Sequence, residues 1–365
     1  MLLPYTKTRE VTLKVHMKAL TVVPGKANSA QIEDVPEPPL SDGSVLVKTL
    51  AVGVCGTDHE IISGEYGWPP DGSERLIIGH ESLGLVEEAP PETGFHKGDL
   101  VVGIVRRPDP VPCVACAVGE WDMCRNGLYT ERGIKQRNGY CSERFRIEPE
   151  FLVRMDPTLG ELAVLLEPTT VVAKAWDHAE RIGGRALWRP KTVLVTGAGP
   201  IGLLAALLGQ QRGLEVHVLD IVEKGPKPDL VKALGATYHT GPIEKIGFEP
   251  DIVMECTGVA QLIIDSLNNL AKDGVLCLAG VSSAGHTIQI DLAAINRSMV
   301  LDNNVMFGSV NANRDHFEIG AAALKKANKA WLAKLITRRE PLENWAQAIA
   351  RQPDDIKVII QLSAN

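Results

Sequence analysis

Three short stretches of the chain carry the residue types that metal-assisted chemistry needs. Val54-Cys55-Gly56-Thr57-Asp58, Gly79-His80-Glu81 and Leu166-Glu167-Pro168 offer a thiol, an imidazole and carboxylates. Zinc takes such sulfur, nitrogen and oxygen donors, and a catalytic site keeps three protein ligands with a fourth position open. Together the three stretches could supply Cys, His and carboxylate ligands to one ion. A His-Glu pair on a turn is by itself an ordinary surface feature, so the rest of the chain must supply a use for the metal.

That use lies downstream. Thr192-Val193-Leu194-Val195-Thr196 is an apolar β run, followed by Gly197-Ala198-Gly199-Pro200-Ile201-Gly202 and an apolar helical pattern. A glycine motif between a strand and a helix, with an acid at the end of the next strand, is the context dinucleotide binding requires. Gly197 permits the tight turn, Gly199 lets the backbone approach a pyrophosphate, and Gly202 lets strand and helix pack closely. Pro200 and Ile201 open the helix, whose free N–H groups face the phosphates. Asp220 ends the next strand, where its carboxylate bonds an adenosine ribose and repels a 2′-phosphate, so NAD is the expected cofactor. Lys224 and Lys227 follow closely and keep NADP within reach.

A second metal pattern is Cys113-Val114-Ala115-Cys116 with Cys124, a C-x2-C-x7-C cluster in a Gly- and Pro-rich loop. A closed structural zinc needs four ligands. Asp109, just before the cluster, is the favoured fourth, with Cys141 the other candidate. Cys256 and Cys277 lie in apolar strands and read as core.

The elements that must position these groups follow two grammars. From Met17 to about Arg154, short β-branched runs such as Ser44–Thr49 and Leu100–Val105 alternate with Gly and Pro, which predicts a partly open barrel. Leu159–Ala179 has helical spacing broken by Pro168, which would leave Glu167 at a helix terminus. After Lys191, strands at 192–196, 216–220, 252–256, 275–279 and 305–308 alternate with helical segments, including one around Leu230–Leu234, and imply a doubly wound parallel sheet. From about Asn313 an Ala- and Lys-rich helix and a last strand, 356–360, complete the chain.

The 365 residues exceed one ordinary hydrophobic core, so two domains are expected. A formal net charge of −7, with no basic block, argues against nucleic acid or an anionic membrane as partners. No apolar run approaches the roughly 18 residues of a membrane span. Residues 1–16 carry neither a signal core nor an Arg-rich transit pattern and read as a tail, which gives an expected cytoplasmic location.

With these residues collected, the chain from Met17 onward resembles a zinc-dependent medium-chain dehydrogenase, and more narrowly the glucose 1-dehydrogenase branch. The narrowing marks are Arg106-Arg107-Pro108, Leu166-Glu167-Pro168, Phe307-Gly308-Ser309-Val310-Asn311-Ala312-Asn313 and Pro353–Val358. The resemblance implies an α/β fold with a broken, GroES-like barrel as catalytic domain (1–187 and 313–365) and a Rossmann domain (188–312). It implies catalytic zinc on Cys55, His80 and Glu167, with Glu81 coordinating directly or through water. It places the sugar against Thr57, Glu131 and Asn311, with Asn313 nearby, and Asn311 also beside the cofactor. The expected reaction is hydride transfer from C1 of an aldose, β-D-glucose to glucono-1,5-lactone, in a homodimer or homotetramer. A sorbitol- or threonine-type dehydrogenase and a non-catalytic dinucleotide-binding relative are the competing readings. Two departures stand out: Asp109 where the lobe usually has a cysteine, and Asp220-Ile221-Val222 where many members carry arginines for NADP.

The chemistry suits these residues. Oxidising a hydroxyl removes a proton from oxygen and a hydride from carbon, and a metal at that oxygen eases the first while nicotinamide takes the second. Thr57, two residues beyond Cys55, is placed to pass the proton outward. As a plain turn residue it would instead bond its own backbone.

Overall fold

A computed structural model describes residues 16–282 and 287–362. The strand Val45–Gly53 organises the first layer: it is β-branched and almost wholly buried. It pairs antiparallel with Glu81–Glu88 on one side and with Lys357–Gln361 on the other. Arg144–Ile147 joins it at its start, so this seven-stranded sheet curls rather than lying flat. The sheet continues through Leu100–Gly103 and Leu152–Arg154 at one end and Ile336–Pro341 at the other. The last segment of the chain thus returns to the first. In register, Gly53 faces Glu81 on one neighbour and Ile359 on the other.

The second layer is a six-stranded parallel sheet. Its order is Thr237–His239, Glu215–Leu219, Thr192–Thr196, Ile252–Glu255, Val275–Leu278 and Val305–Gly308. The first strand in sequence lies inside the order, so the strand order reverses beside it, and ligands bind in the crevice at such a switch point. Gly197, at φ +88°, makes the turn out of Thr192–Thr196. A Cβ on Gly202 would lie 1.8 Å from the Gly197 carbonyl oxygen, so only glycine lets the Pro200–Gln211 helix start so close to its strand.

Helix Leu166–Gly183 joins the layers. Its apolar side (Leu166, Val172, Ala173, Trp176, Ala179) is buried, and the Trp176 indole donates to the Ala205 carbonyl of the cofactor-side helix at 3.2 Å. Helix Arg314–Lys326 packs across it, with Gly320 against Leu166 and Thr170. One contiguous core runs through both layers, and a smaller cluster of Leu194, Val253, Leu276 and Ile295 covers the far face of the parallel sheet.

Four local expectations need correction. Residues Gly56–Ser63 form an α-helix inside the region read as all β. It buries only Asp58 and Ile61 and so has no apolar stripe to announce it. The 159–179 signal is a 3-10 segment, Pro157–Leu165, followed by the Leu166–Gly183 helix. The restart falls at Leu166, because Pro168 sits in a first turn, where no donor is lost. The Leu230–Leu234 signal belongs to a longer helix, Pro226–Ala233. His16, assigned to the tail, begins the strand His16–Val22, while residues 1–15 lie outside the described residues.

Candidate active site

The end of Val45–Gly53 gathers the chemistry. Two residues past Gly53, Cys55 caps the Gly56–Ser63 helix, and its N–H donates to Asp58 Oδ2 at 2.9 Å. Asp58 Oδ1 lies 3.5 Å from His80 Nδ1, and both side chains are almost completely buried. Burial opposes charge on each, but each charge outweighs it for the other. Asp58 sits below, and His80 well above, the ordinary range. His80 rides on a turn made by Gly79 at φ +90°, where a Cβ would come within 2.8 Å of Val52 Cγ1. One sulfur, one ring nitrogen and one carboxylate oxygen of Cys55, His80 and Glu81 all lie within 4.8 Å of one another.

Glu81 is more heavily engaged than its place beside His80 suggests. Both its carboxylate oxygens lie 2.6 Å from Lys357 Nζ, which also donates to the Val54 carbonyl at 3.0 Å. A Cβ on Gly53 would fall 1.9 Å from Glu81 Oε2, so the strand register and that glycine together make room for the carboxylate. Glu167, in the first turn of its helix, has no hydrogen bond or ion pair on its carboxylate among the described residues. Burial pushes it up to about 7, with Glu81 adding to the effect and His80 and Lys357 opposing it.

Cys55, Gly56 and Glu81 line one cleft of about 320 Å³ together with Pro200 and Ile201 of the glycine loop and with Lys357. Cys55 and Glu81, though not His80 or Glu167, therefore open into the same space as the glycine-loop turn. A larger cavity of about 430 Å³, between residues 33–39 and 138–145, lies away from every donor named above. At the far end of the loop, Asp220 accepts from the Ala198 N–H at 2.6 Å and the Val222 N–H at 3.0 Å, and Lys227 Nζ stands 3.5 Å away. Lys224 is exposed.

Glu131 and Asn311 meet across 180 residues: Asn311 Nδ2 donates to Glu131 Oε1 at 2.9 Å. Arg106 holds the same oxygen, through Nε at 3.0 Å and Nη2 at 2.9 Å. Asn313 Oδ1 caps the Arg314–Lys326 helix by accepting from the His316 N–H at 3.4 Å. Thr57 is half-buried in the first turn of the Gly56–Ser63 helix. His59 lies in that helix too.

In the lobe, the sulfurs of Cys113, Cys116 and Cys124 lie within 4.8 Å of one another. Backbone N–H groups of Cys116 and Arg125 bring the Cys113 thiol down to about 6, while burial pushes Cys116 up to about 11. Asp109 is buried, and its two oxygens accept from Asn126 Nδ2 at 2.7 Å and the Val111 N–H at 2.9 Å. Cys141 lies away from the lobe, bonded through its backbone to Leu20 and Ile78. A third donor cluster is Asp177, His178 and His316. His316 Nδ1 accepts the Asn313 N–H at 3.2 Å, which leaves the ring proton on Nε2, facing Asp177, itself paired with Arg181.

Reading the sequence did not assign Lys357, Arg106, Asp122 or Lys174. For Lys357 the signal was there: one charge inside the apolar run Ile356-Lys357-Val358-Ile359-Ile360, and a buried charge has a partner.

Residues 160–362 match the family described as glucose dehydrogenase C-terminus, and 41–157 match the alcohol dehydrogenase GroES-like domain. The chain is 40% identical over 359 residues to a glucose 1-dehydrogenase of Methanocella arvoryzae, covering 95% of this chain and 100% of that one. It is 41% identical to glucose 1-dehydrogenase 2 of Vulcanisaeta moutnovskia, with 95% and 99% coverage. Among solved structures it is similar to a Haloferax mediterranei glucose dehydrogenase in complex with NADP, Zn and gluconolactone. The TM-score there is 0.88 at 35% identity, over 96% of this chain and 100% of that one. Among the described residues, no helix is long and apolar enough to cross a membrane.

Proposed function

The chain belongs to the glucose dehydrogenase branch of the zinc-dependent medium-chain dehydrogenases, and from that premise we propose that it oxidises β-D-glucose at C1 to glucono-1,5-lactone, with NAD the preferred acceptor. The observation that carries this reading is the shared cleft: Cys55 and Glu81 open onto the same space as Pro200 and Ile201.

The donor set fits a zinc ion. His80 turns Nδ1 to Asp58 Oδ1 at 3.5 Å, which leaves Nε2 for an ion, and the Glu167 carboxylate has no cation paired with it among the described residues. A divalent cation compensates such groups. We assign Cys55, His80 and Glu167 as its ligands, with Asp58 behind the ring orienting it, and Glu81 as the adjacent carboxylate restrained by Lys357. Bound zinc supplies Lewis-acid polarisation of a hydroxyl, and the nicotinamide supplies the hydride acceptor.

What the chain itself does is bind, orient and move a proton. Glu131, held by Arg106, and Asn311 present a fixed acceptor and amide to sugar hydroxyls, whose desolvation is costly unless each finds a partner. Thr57, half-buried between Cys55 and the helix surface, carries the hydroxyl proton outward. Asn313, next but one to Asn311, offers its side-chain amide N–H groups to the same sugar while its Oδ1 caps the Arg314–Lys326 helix. Gly197, Gly199 and Gly202 let the backbone and the Pro200–Gln211 helix start receive the pyrophosphate. Asp220 faces the ribose and disfavours a 2′-phosphate. Lys227, already 3.5 Å from it, tempers that preference.

Further assignments belong to the same reading. The catalytic domain comprises 1–187 and 313–365, and the dinucleotide domain 188–312. The lobe cysteines hold a structural zinc with Asp109 as fourth ligand, once Asn126 yields its oxygen. A homodimer or homotetramer forms, supported by the exposed edge strand Val305–Gly308 with Val300, Leu301 and Met306 exposed nearby. The seven cysteines are free thiols, which suits the reducing cytoplasm. A panel of aldoses, polyols and threonine assayed with both cofactors tests the function. Turnover of sorbitol or threonine without glucose would refute it.

A further inference from the structure

We propose that Lys174 is a positioning residue for the sugar site, holding Asn311 against Glu131 through a closed ring of buried and part-buried contacts; this rests on the sugar reading of Glu131 and Asn311 given above. Lys174 lies in the middle of helix Leu166–Gly183 and is 1% exposed. Its Nζ stands 2.8 Å from Asp122 Oδ2 and donates to the Val310 carbonyl at 3.0 Å. Asp122, in the single turn Trp121–Met123 of the cysteine lobe, has no hydrogen bond to either carboxylate oxygen. The ammonium at 2.8 Å is therefore its main charge compensation.

The contacts return to the sugar groups from both sides. The Asp122 carbonyl accepts from Arg106 Nη1 at 3.2 Å, and Arg106 also grips Glu131 Oε1. Val310, whose carbonyl Lys174 holds, precedes Asn311, which has the unusual φ of +60° and donates to the same Glu131 oxygen. Lys174, Asp122, Arg106, Glu131 and Asn311 thus form one loop of contacts. It ties together the lobe, the helix between the layers and the exit of the parallel sheet. An apolar residue of similar volume would fill the space at position 174. It would not orient the Val310 peptide, and that peptide fixes where the Asn311 amide points. Because the loop spans three segments, the spacing of the two sugar-facing groups depends on a side chain that touches no sugar.

The test removes both charges together, because deleting one alone strands the other. In the zinc-loaded enzyme, Lys174→Met with Asp122→Leu is expected to keep its thermal midpoint and its affinity for ADP-ribose within about twofold. Its KM for glucose rises roughly tenfold, the value of one oriented hydrogen bond. Asn311→Gly tolerates the left-handed backbone and removes the amide. It should raise KM similarly, and adding the pair substitution to it should raise KM no further. If Asn311→Gly raises KM while the folded pair variant leaves it unchanged, the positioning role is overturned and the sugar reading stands. If Asn311→Gly itself leaves KM unchanged, the sugar reading of this segment fails and takes the positioning role with it. Additive effects of the two changes would also overturn the ring. Should the Met/Leu pair not fold, Lys174→Gln with Asp122→Asn is read by the same criteria.

Discussion

Replacing Lys357 by methionine isolates the contact that separates Glu81 from the other donors. Lys357 and Glu81 are each about 2% exposed, with Nζ 2.6 Å from both carboxylate oxygens. At that separation the Coulomb attraction is about 6 kcal/mol at an effective dielectric constant near 20. Desolvating the two ions costs several kcal/mol each, so the pair adds little net stability. Removing one partner is different, because the other charge stays buried. Lys357→Met should therefore destabilise the zinc-free protein by about 3–5 kcal/mol. The expected fall in thermal midpoint for a domain this size is on the order of 10 °C. The Val54 carbonyl also loses its donor, which works in the same direction. Glu81→Gln added to Lys357→Met should restore most of the loss, since no charge is then stranded. Urea unfolding of wild type, both single variants and the double variant gives the coupling energy. A loss below about 1 kcal/mol for Lys357→Met would refute the reasoning, because it would mean Glu81 is already relieved by other groups.

Other outcomes follow from the same geometry. His80→Ala should lower turnover roughly a thousandfold or more, the scale of a Lewis-acid contribution of several kcal/mol, while NAD binding by fluorescence persists. Asp220→Gly removes the acid and frees Lys227, 3.5 Å away. The NADP-to-NAD ratio of kcat/KM should rise roughly tenfold or more, since like-charge contacts cost several kcal/mol, and an unchanged ratio would assign selection to another residue. Gly202→Ala would put a methyl 1.8 Å from the Gly197 oxygen, so ADP-ribose binding should be lost in calorimetry. Hydrogen bonds from Thr158, with Lys325 nearby, bring the Asp156 carboxyl down to about 2. A lowered folded pKa contributes stability above the unfolded value near about 4. That contribution is lost as pH falls from there towards about 2. Asp156→Asn should flatten this part of the urea-midpoint profile.

Local sequence carried the dinucleotide turn because its requirements are local: a strand, three glycines and a helix start within eleven consecutive residues, 192–202. The proposed metal donors could be picked out as types, and the fold brings Cys55, His80 and Glu81 within 4.8 Å of one another. What was not legible depends on distant pairing. Lys357 meets Glu81 across 276 residues, and Lys174 meets Val310 across 136. No periodicity encodes such contacts. The Gly56–Ser63 helix escaped notice because two buried residues make no stripe. Cys141 is a candidate lobe ligand by residue type, but backbone hydrogen bonds hold it, outside any strand, against Ile78 and Leu20.

The two carboxylates beside His80 are distinguished by their neighbours rather than by their spacing. Glu81 opens a strand whose register places it over Gly53 and against Lys357, so it enters the site already paired with a cation. Glu167 enters from a helix start with no cation of its own, and burial weighs against its charge. A divalent ion held among these groups would offset the charge of Glu167, which has no cation paired with it, whereas at Glu81 it would have to compete with Lys357. Groups of one chemical type thus acquire different tasks from their surroundings. The register of one glycine-ended strand sets the division, because shifting it by a residue would turn the Glu81 side chain to the other face.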